Sequence, residues 1–367
     1  MPAATDILFT PFSIGEMLLK NRIVMAPMTR SFSPGNTPGE DVAAYYRRRA
    51  EASVGLIVSE GVSPNAVTAT GTPNIPNIVS GDAKAAWKRV AEGVRAANGK
   101  MGLQLWHEGP FRNPEKSEHP DIPSWSASGF KVPGKPLWEP MSEAEIETAI
   151  DEFVAAALAT KEAGFDCVEF HGAHSYLIDN FFWAETNRRT DKWGGSWAGR
   201  TRLAAQIISR TRAKIGEDFP LIIRISQWKM QDYEARAAAT PGELEEWLAP
   251  MIEAGIDAIH CSQRRFWGPA FEGSDLNFAG WVKKLTGKPT IAVGSVGLST
   301  EFSATYAGEV SKPASLDRLV EMMERGDFDL IAVGRALLQD PEWAEKIRAG
   351  RTDELMEFSR TAFETLY

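Results

Sequence analysis

Eight short apolar runs recur along the chain, and a segment with helical periodicity follows each of them. The runs cover residues 23–28, 54–58, 101–106, 167–170, 221–225, 258–261, 290–293 and 330–333. Short continuous apolar runs are typical of strands that are buried on both faces of a parallel sheet. The helical patterns cover residues 42–52, 83–97, 143–163, 200–215, 242–254, 278–285, 316–325 and 341–349. This strict alternation predicts an α/β fold of the (β/α)8 TIM-barrel type.

The length of 367 residues suits one such barrel, so we expect a single domain over residues 1–367. Residues 7–20 precede the first strand and are expected to form an N-terminal cap. Long loops at 109–141 and 175–198 both follow strands, and in a barrel the loops after strands carry the active site. An open doubly wound sheet is the alternative, but no Gly-x-Gly-x-x-Gly motif follows the first strand.

Charge and cysteine content exclude several classes of partner. A formal net charge of -9 provides no basic field for nucleic acid or for an anionic membrane surface. The N-terminus has no signal-peptide pattern and no apolar run is long enough to span a bilayer, so a cytoplasmic location is expected. Cys167 and Cys261 each lie inside a strand-like run, which predicts core residues rather than a disulfide, metal or iron–sulfur site. Monomer and homodimer both stay open.

Polar residues and glycines collect where the predicted strands end. A single one of them is usually structural, but the same pattern at seven of eight strands predicts a ligand site. Gly294, Gly297 and Gly334 follow the last two strands beside Arg335, which suits the phosphate of a substrate or of a cofactor. Gln104 and Arg224 favour a cofactor, because an amide and a fixed cation suit the pyrimidine edge of a flavin.

The strongest chemical signal is His171-Gly172-Ala173-His174-Ser175-Tyr176, directly after the fourth strand. Two imidazoles and a phenol are hydrogen-bond donors or proton carriers near pH 7. Together they suit binding of a carbonyl oxygen and delivery of a proton.

Several longer motifs resemble those of the old yellow enzyme family of flavin-dependent ene-reductases. They lie at residues 8–12, 19–30, 104–107, 171–177, 187–196 and 333–335, and they include Arg189-Thr190-Asp191-Lys192-Trp193-Gly194-Gly195. The family usually has Gly where this chain has Ser175, in the turn that aims Tyr176.

The resemblance implies noncovalent FMN at the barrel mouth and NADPH or NADH as reductant. Flavin contacts are implied for Pro27, Met28, Thr29, Gly61, Gln104 and Arg224, and phosphate contacts for Val296, Gly297, Gly334 and Arg335. It also implies that His171 and His174 bind the activating oxygen of an electrophilic alkene and that Tyr176 gives a proton to its α carbon. Trp106 and Trp267 are expected as pocket walls.

Other functions remain open on the sequence. A flavin-binding or ligand-binding barrel without efficient turnover would carry the same cofactor residues. A flavin-free phosphosugar isomerase or aldolase would use the phosphate site with a central Lys or Glu, and Lys229 is the nearest Lys to a strand end.

Overall fold

A closed parallel barrel forms the centre of the structure, which is a computed structural model describing residues 5–367 except the side chain of residue 306. The barrel strands follow one another in chain order around the circle, so the predicted (β/α)8 fold is confirmed. They are β3 (Ile23–Met25), β4 (Leu56–Val62), β5 (Lys100–Leu105), β8 (Cys167–Gly172), β9 (Leu221–Ser226), β10 (Ala258–Ser262), β11 (Thr290–Val293) and β12 (Leu330–Val333). The remaining strands form two hairpins, β1 (Phe12–Ile14) with β2 (Met17–Leu19) and β6 (Phe130–Val132) with β7 (Lys135–Pro136).

Each predicted helix overlaps an observed one. These are α1 (Glu40–Glu51), α2 (Gly81–Ala96), α3 (Glu143–Glu162), α5 (Trp197–Ile215), α6 (Pro241–Glu253), α7 (Phe278–Thr286), α9 (Asp317–Glu324) and α11 (Trp343–Arg348). Three shorter helices were not predicted, namely α4 (Leu177–Phe182), α8 (Phe302–Tyr306) and α10 (Arg335–Gln339). The start of α3 is a full capping box, in which Ser142 and Glu145 each accept a backbone N–H of the other residue.

The apolar core has two parts, one inside the barrel and one outside it. Alternate strand residues such as Leu56, Val58 and Ala332 fill the interior, and Ile14 and Leu19 of the first hairpin pack against the same cluster. The hairpin is thus the N-terminal cap of the barrel. The larger cluster lies between the strands and the surrounding helices. Burial of a large aliphatic side chain contributes about 1.5–3 kcal/mol, so these contacts stabilise the cap.

Inward-facing residues become polar toward the carboxyl ends of the strands. On β8 the alternate positions are Cys167, Glu169 and His171, and the first of these belongs to the interior apolar cluster. Strands have a side-chain period of two, so the later members of such series meet at one end of the barrel. That end is also where the long loops lie.

The Arg-Thr-Asp motif anchors the long loop at residues 109–141 to the segment after α4. Arg189 donates from Nη1 to the carbonyl oxygens of Ala127 (2.8 Å) and Met141 (2.7 Å) and is paired with Asp191. The motif therefore has a structural role, because it fixes the loop to the segment after α4. No residue of the 109–141 loop is among those that line the main cavity. Within the described residues, no helix has the length and apolar character needed to cross a membrane.

Candidate active site

A cavity of about 400 Å³ opens at the carboxyl ends of the barrel strands. This volume is within the range of about 300–1,000 Å³ that small-molecule sites occupy. Most of the predicted site residues line it, namely Pro27, Met28, Thr29, Gln104, Trp106, His171, His174, Tyr176, Arg224, Val296, Gly334 and Arg335. With Ser262 of β10, seven barrel strands or the segments after them converge on one site.

Two neutral imidazoles lie at one wall of the cavity, with the ring centroids of His171 and His174 5.2 Å apart. Burial lowers the pKa of both rings well below the ordinary value, and the positive charge of Arg224 lowers it further. Nδ1 of His171 accepts the backbone N–H of Ala173 at 3.3 Å, so the ring proton is on Nε2. Nε2 of His174 lies 2.8 Å from the hydroxyl of Ser262, which therefore governs the tautomer of that ring.

The Tyr176 ring lies between His171 and Trp106, at centroid distances of 5.0 Å from each. The two residues before it, His174 and Ser175, have φ angles of 60° and 66°. Non-glycine residues rarely adopt this left-handed conformation, so the turn needs support from its surroundings. A serine therefore stands here in a conformation that suits the family's usual glycine.

Side chains from α4 and from the segment after β9 give that support. The backbone N–H of Ser175 donates to Oδ2 of Asp179 at 2.6 Å, and the hydroxyl of Ser175 donates to Gln231 at 2.5 Å. Asp179 is in turn paired with Lys229 at 2.6 Å, and both side chains are fully buried. Lys229 is thus the partner of a structural carboxylate, which argues against the aldolase alternative that a central Lys raised.

A second polar group lies at the floor of the cavity. Gln104 donates from Nε2 to Oε1 of Glu169 at 2.8 Å, and Nδ1 of His260 lies 2.7 Å from Oε2 of the same carboxylate. Arg224 is buried beside them, and its Nε has no hydrogen-bond partner among residues 5–367. The Gln104 carbonyl and the Arg224 guanidinium are therefore positioned to bind a polar edge of a ligand.

The opposite end of the cavity is cationic and glycine-rich. Arg335 is buried, and burial lowers the pKa of its guanidinium to about 10, so the side chain stays positive at pH 7. Its terminal nitrogens donate to the carbonyl oxygens of Thr300 and Glu301 and to the hydroxyl of Thr305. Gly294, after β11, has a φ of 144°, and a Cβ there would lie 2.5 Å from the carbonyl oxygen of Gln263. Only glycine fits this close approach.

Three predicted residues lie outside the cavity lining. A Cβ on Gly61 would lie 2.6 Å from the Trp106 ring, so this glycine makes room for Trp106. Gly297 has a φ of 66° and packs against Trp343. Trp267 packs edge-to-face on Phe266, with a centroid distance of 4.9 Å.

Several lining residues were not predicted from the sequence. Trp228 stacks on His174 with a centroid distance of 4.4 Å, and Arg264 lies over Tyr233 at 3.9 Å. Phe302 comes from the insertion after β11, and Phe363 comes from the C-terminal segment. The Gln227-Trp228-Lys229 run directly after β9 was a usable signal for Trp228, since aromatic residues after barrel strands favour a pocket wall.

The arrangement fits a flavin mononucleotide. The orphaned Nε of Arg224 and the Gln104 amide suit the pyrimidine edge, and the Arg335 cation with the glycine turn at Gly294 suits a phosphate. The fold and site together define a flavin-dependent barrel oxidoreductase.

Comparison with known proteins agrees with this class. Residues 7–354 match the model of the NADH:flavin oxidoreductase / NADH oxidase family. An NADH oxidase from Thermoanaerobacter brockii is 31% identical over 359 residues, which cover 95% of this chain and 52% of that protein, so the chain spans about half its length. An NADPH dehydrogenase from Bacillus velezensis is 34% identical over 344 residues, covering 92% of this chain and 93% of that protein.

Among solved structures, that of morphinone reductase in complex with tetrahydroNAD superimposes with a TM-score of 0.81 at 27% identity, covering 97% of this chain and 93% of the other. The chain belongs to the NADH:flavin oxidoreductase / NADH oxidase family, which is the family of old yellow enzyme, and FMN is its cofactor.

Proposed function

We propose that this protein uses NAD(P)H to reduce the activated C=C bond of an α,β-unsaturated carbonyl compound or a similar electrophilic alkene. The observation that carries the proposal is the meeting of His171, His174 and Tyr176 at one wall of the flavin cavity, with adjacent ring centroids about 5 Å apart. Three hydrogen-bonding rings at this spacing suit the two ends of a conjugated carbonyl compound.

The histidines bind the activating oxygen in this proposal. His171 donates its Nε2 proton, because its Nδ1 is already an acceptor within the protein. A neutral imidazole with a lowered pKa donates a hydrogen bond to the carbonyl oxygen without giving up its proton to solvent. The nearby Arg224 cation makes negative charge on that oxygen more favourable.

Tyr176 supplies the proton to the α carbon. The chemistry supplied by bound FMN is transfer of a hydride from NAD(P)H to the β carbon of the alkene. Nicotinamide and alkene use the same cavity in turn, so parallel-line (ping-pong) kinetics are expected.

The test uses the two half-reactions, which stopped-flow absorbance measures separately under anaerobic conditions. We expect Tyr176→Phe to slow oxidation of the reduced enzyme by 2-cyclohexenone by about 10²–10⁴-fold, as loss of a general acid does. Reduction of the flavin by NADPH or NADH should stay near the wild-type rate, because that step needs no proton from Tyr176.

Tyr233→Phe is the matched control, because Tyr233 also lines the cavity but is exposed, with Arg264 over its ring. Equal losses in both half-reactions of Tyr176→Phe would remove the proton-donor role. If the reduced wild-type enzyme reacts with the alkene no faster than free reduced FMN does, the protein is instead a flavin-binding barrel without alkene turnover.

A further inference from the structure

Three buried polar side chains from three strands form one hydrogen-bonded group under the cavity, and the proposed reaction leaves two of them without a role. Gln104 on β5 and Glu169 on β8 are direct partners in the strand register, and their side chains are 2.8 Å apart. His260 on β10 reaches the same carboxylate at 2.7 Å. Glu169 and His260 are fully buried, and neither is among the residues that line the cavity.

We propose that Glu169 and His260 are positioning residues that fix the orientation of the Gln104 amide toward FMN and set the reduction potential of the bound flavin. The inference rests on the proposed placement of the flavin pyrimidine edge against Gln104 and Arg224.

The chemistry of the donors fixes the amide. An ionised carboxylate only accepts hydrogen bonds, so Gln104 must turn its NH2 group toward Glu169. The Nδ1–H of His260 occupies the other carboxylate oxygen and holds the group in place. Gln104 then presents its carbonyl oxygen to the cavity, which complements the N3–H donor of a flavin. The reverse orientation would set two oxygens against each other in a buried site, which is costly.

The charge on Glu169 opposes the charge on Arg224. Burial by itself raises the pKa of Glu169, but the His260 and Arg224 interactions and the Gln104 hydrogen bond outweigh it and leave the pKa below its ordinary value. The carboxylate is therefore negative at pH 7. Reduced flavin carries negative charge at N1, which Arg224 stabilises and Glu169 disfavours. Glu169 thus holds the potential below the value that Arg224 alone would give.

Two substitutions of Glu169 separate orientation from charge. Glu169→Gln removes the charge, so the FMN midpoint potential, measured by dye equilibration, should rise by about 30 mV, which is a tenfold gain in relative affinity for the reduced form. Glu169→Asp keeps the charge but no longer reaches Gln104. The Kd for oxidised FMN, measured by fluorescence quenching on apoprotein, should then rise about tenfold with little change in potential.

Glu152→Gln is the matched control. Glu152 lies on α3, outside the cavity lining, and like Glu169 it accepts a hydrogen bond from a side-chain amide, that of Asn65 at 2.6 Å. It should leave both quantities at wild-type values. The inference is overturned if the FMN midpoint potential of Glu169→Gln equals that of the control. It is also overturned if folded Glu169→Asp binds oxidised FMN with the wild-type Kd. Gln104→Leu tests the underlying placement, since unchanged FMN affinity in that variant means that the flavin does not contact Gln104 at all.

Discussion

At the scale of single residues, the active-site turn combines backbone strain with side-chain support. Ser175 has a φ of 66°, which costs a non-glycine residue about 1–2 kcal/mol. Its hydroxyl bond to Gln231 offsets part of that cost. A serine therefore fits the position of the family's usual glycine because the segment after β9 supplies a partner for it.

Substitution of Ser175 should show this compensation. Ser175→Ala keeps the strain and loses the Gln231 hydrogen bond, so we expect a loss of about 1 kcal/mol in the free energy of unfolding. The free energy of unfolding of Ser175→Gly should stay within about 1 kcal/mol of the wild-type value. Glycine relieves the backbone strain, and this gain offsets both the loss of the hydrogen bond and the greater conformational freedom of the unfolded chain. Urea unfolding monitored by circular dichroism measures both values, and a Gly variant less stable than the Ala variant would contradict the argument.

At the scale of elements, β4 ties the segment after β3 to helix α1 through one carboxyl group and its backbone. Oε2 of Glu60 accepts the backbone N–H groups of Arg30 (2.9 Å) and Ser31 (3.1 Å), and the N–H of Glu60 donates to the hydroxyl of Tyr46. Burial raises the pKa of Glu60 from 4.5 to about 7 despite these bonds. The segment that carries Thr29 into the cavity is thus fixed by a group that titrates near neutral pH.

The sign of the resulting pH dependence follows from the raised pKa. The folded protein holds the Glu60 proton more tightly than the unfolded chain does, so this contribution to stability is present below pH 4.5 and is lost as the pH rises toward 7. The side chain of the Glu60→Gln variant cannot titrate. Between pH 4.5 and 7.5 the free energy of unfolding of wild type should therefore fall by up to about 3 kcal/mol more than that of the variant. Urea unfolding at both pH values tests this, and parallel curves for the two proteins would exclude the effect.

At the scale of the whole molecule, the cavity joins strands from both ends of the chain. Pro27 and Met28 follow the first barrel strand, whereas Arg335 follows the last, and all three line the same cavity. Arg335 also holds the insertion after β11 through its bonds to Thr300 and Glu301. A ligand that contacts all these parts stabilises the folded barrel as a unit.

Thermal unfolding should therefore depend on the flavin phosphate. FMN at about 100 times its Kd should add about 2.7 kcal/mol to the stability of the apoprotein. Riboflavin, which lacks the phosphate, should raise Tm less at the same concentration. In Arg335→Met the rise in Tm with FMN should exceed the rise with riboflavin by less than it does in wild type. The rise with riboflavin, measured on each protein, is the control. An undiminished difference would show that the phosphate does not need Arg335.

The sequence by itself determined the architecture and twelve of the residues that line the cavity. Buried parallel strands read as short apolar runs, and residues at their carboxyl ends meet because closure of the barrel brings those ends together. His171, His174, Tyr176 and Arg224 follow from the sequence on this basis, and all four line the cavity.

Only the tertiary structure decided which polar groups meet. Glu169 lies 65 residues from Gln104 and 91 residues from His260, and the apolar run around it gave no sign of a buried carboxylate with two partners. Trp228 is similar, because its stacking on His174 depends on how two separate loops fold over one rim. Local periodicity reports which face of a strand is buried, whereas the partners of a buried polar group are fixed by strand register and loop packing across the whole barrel.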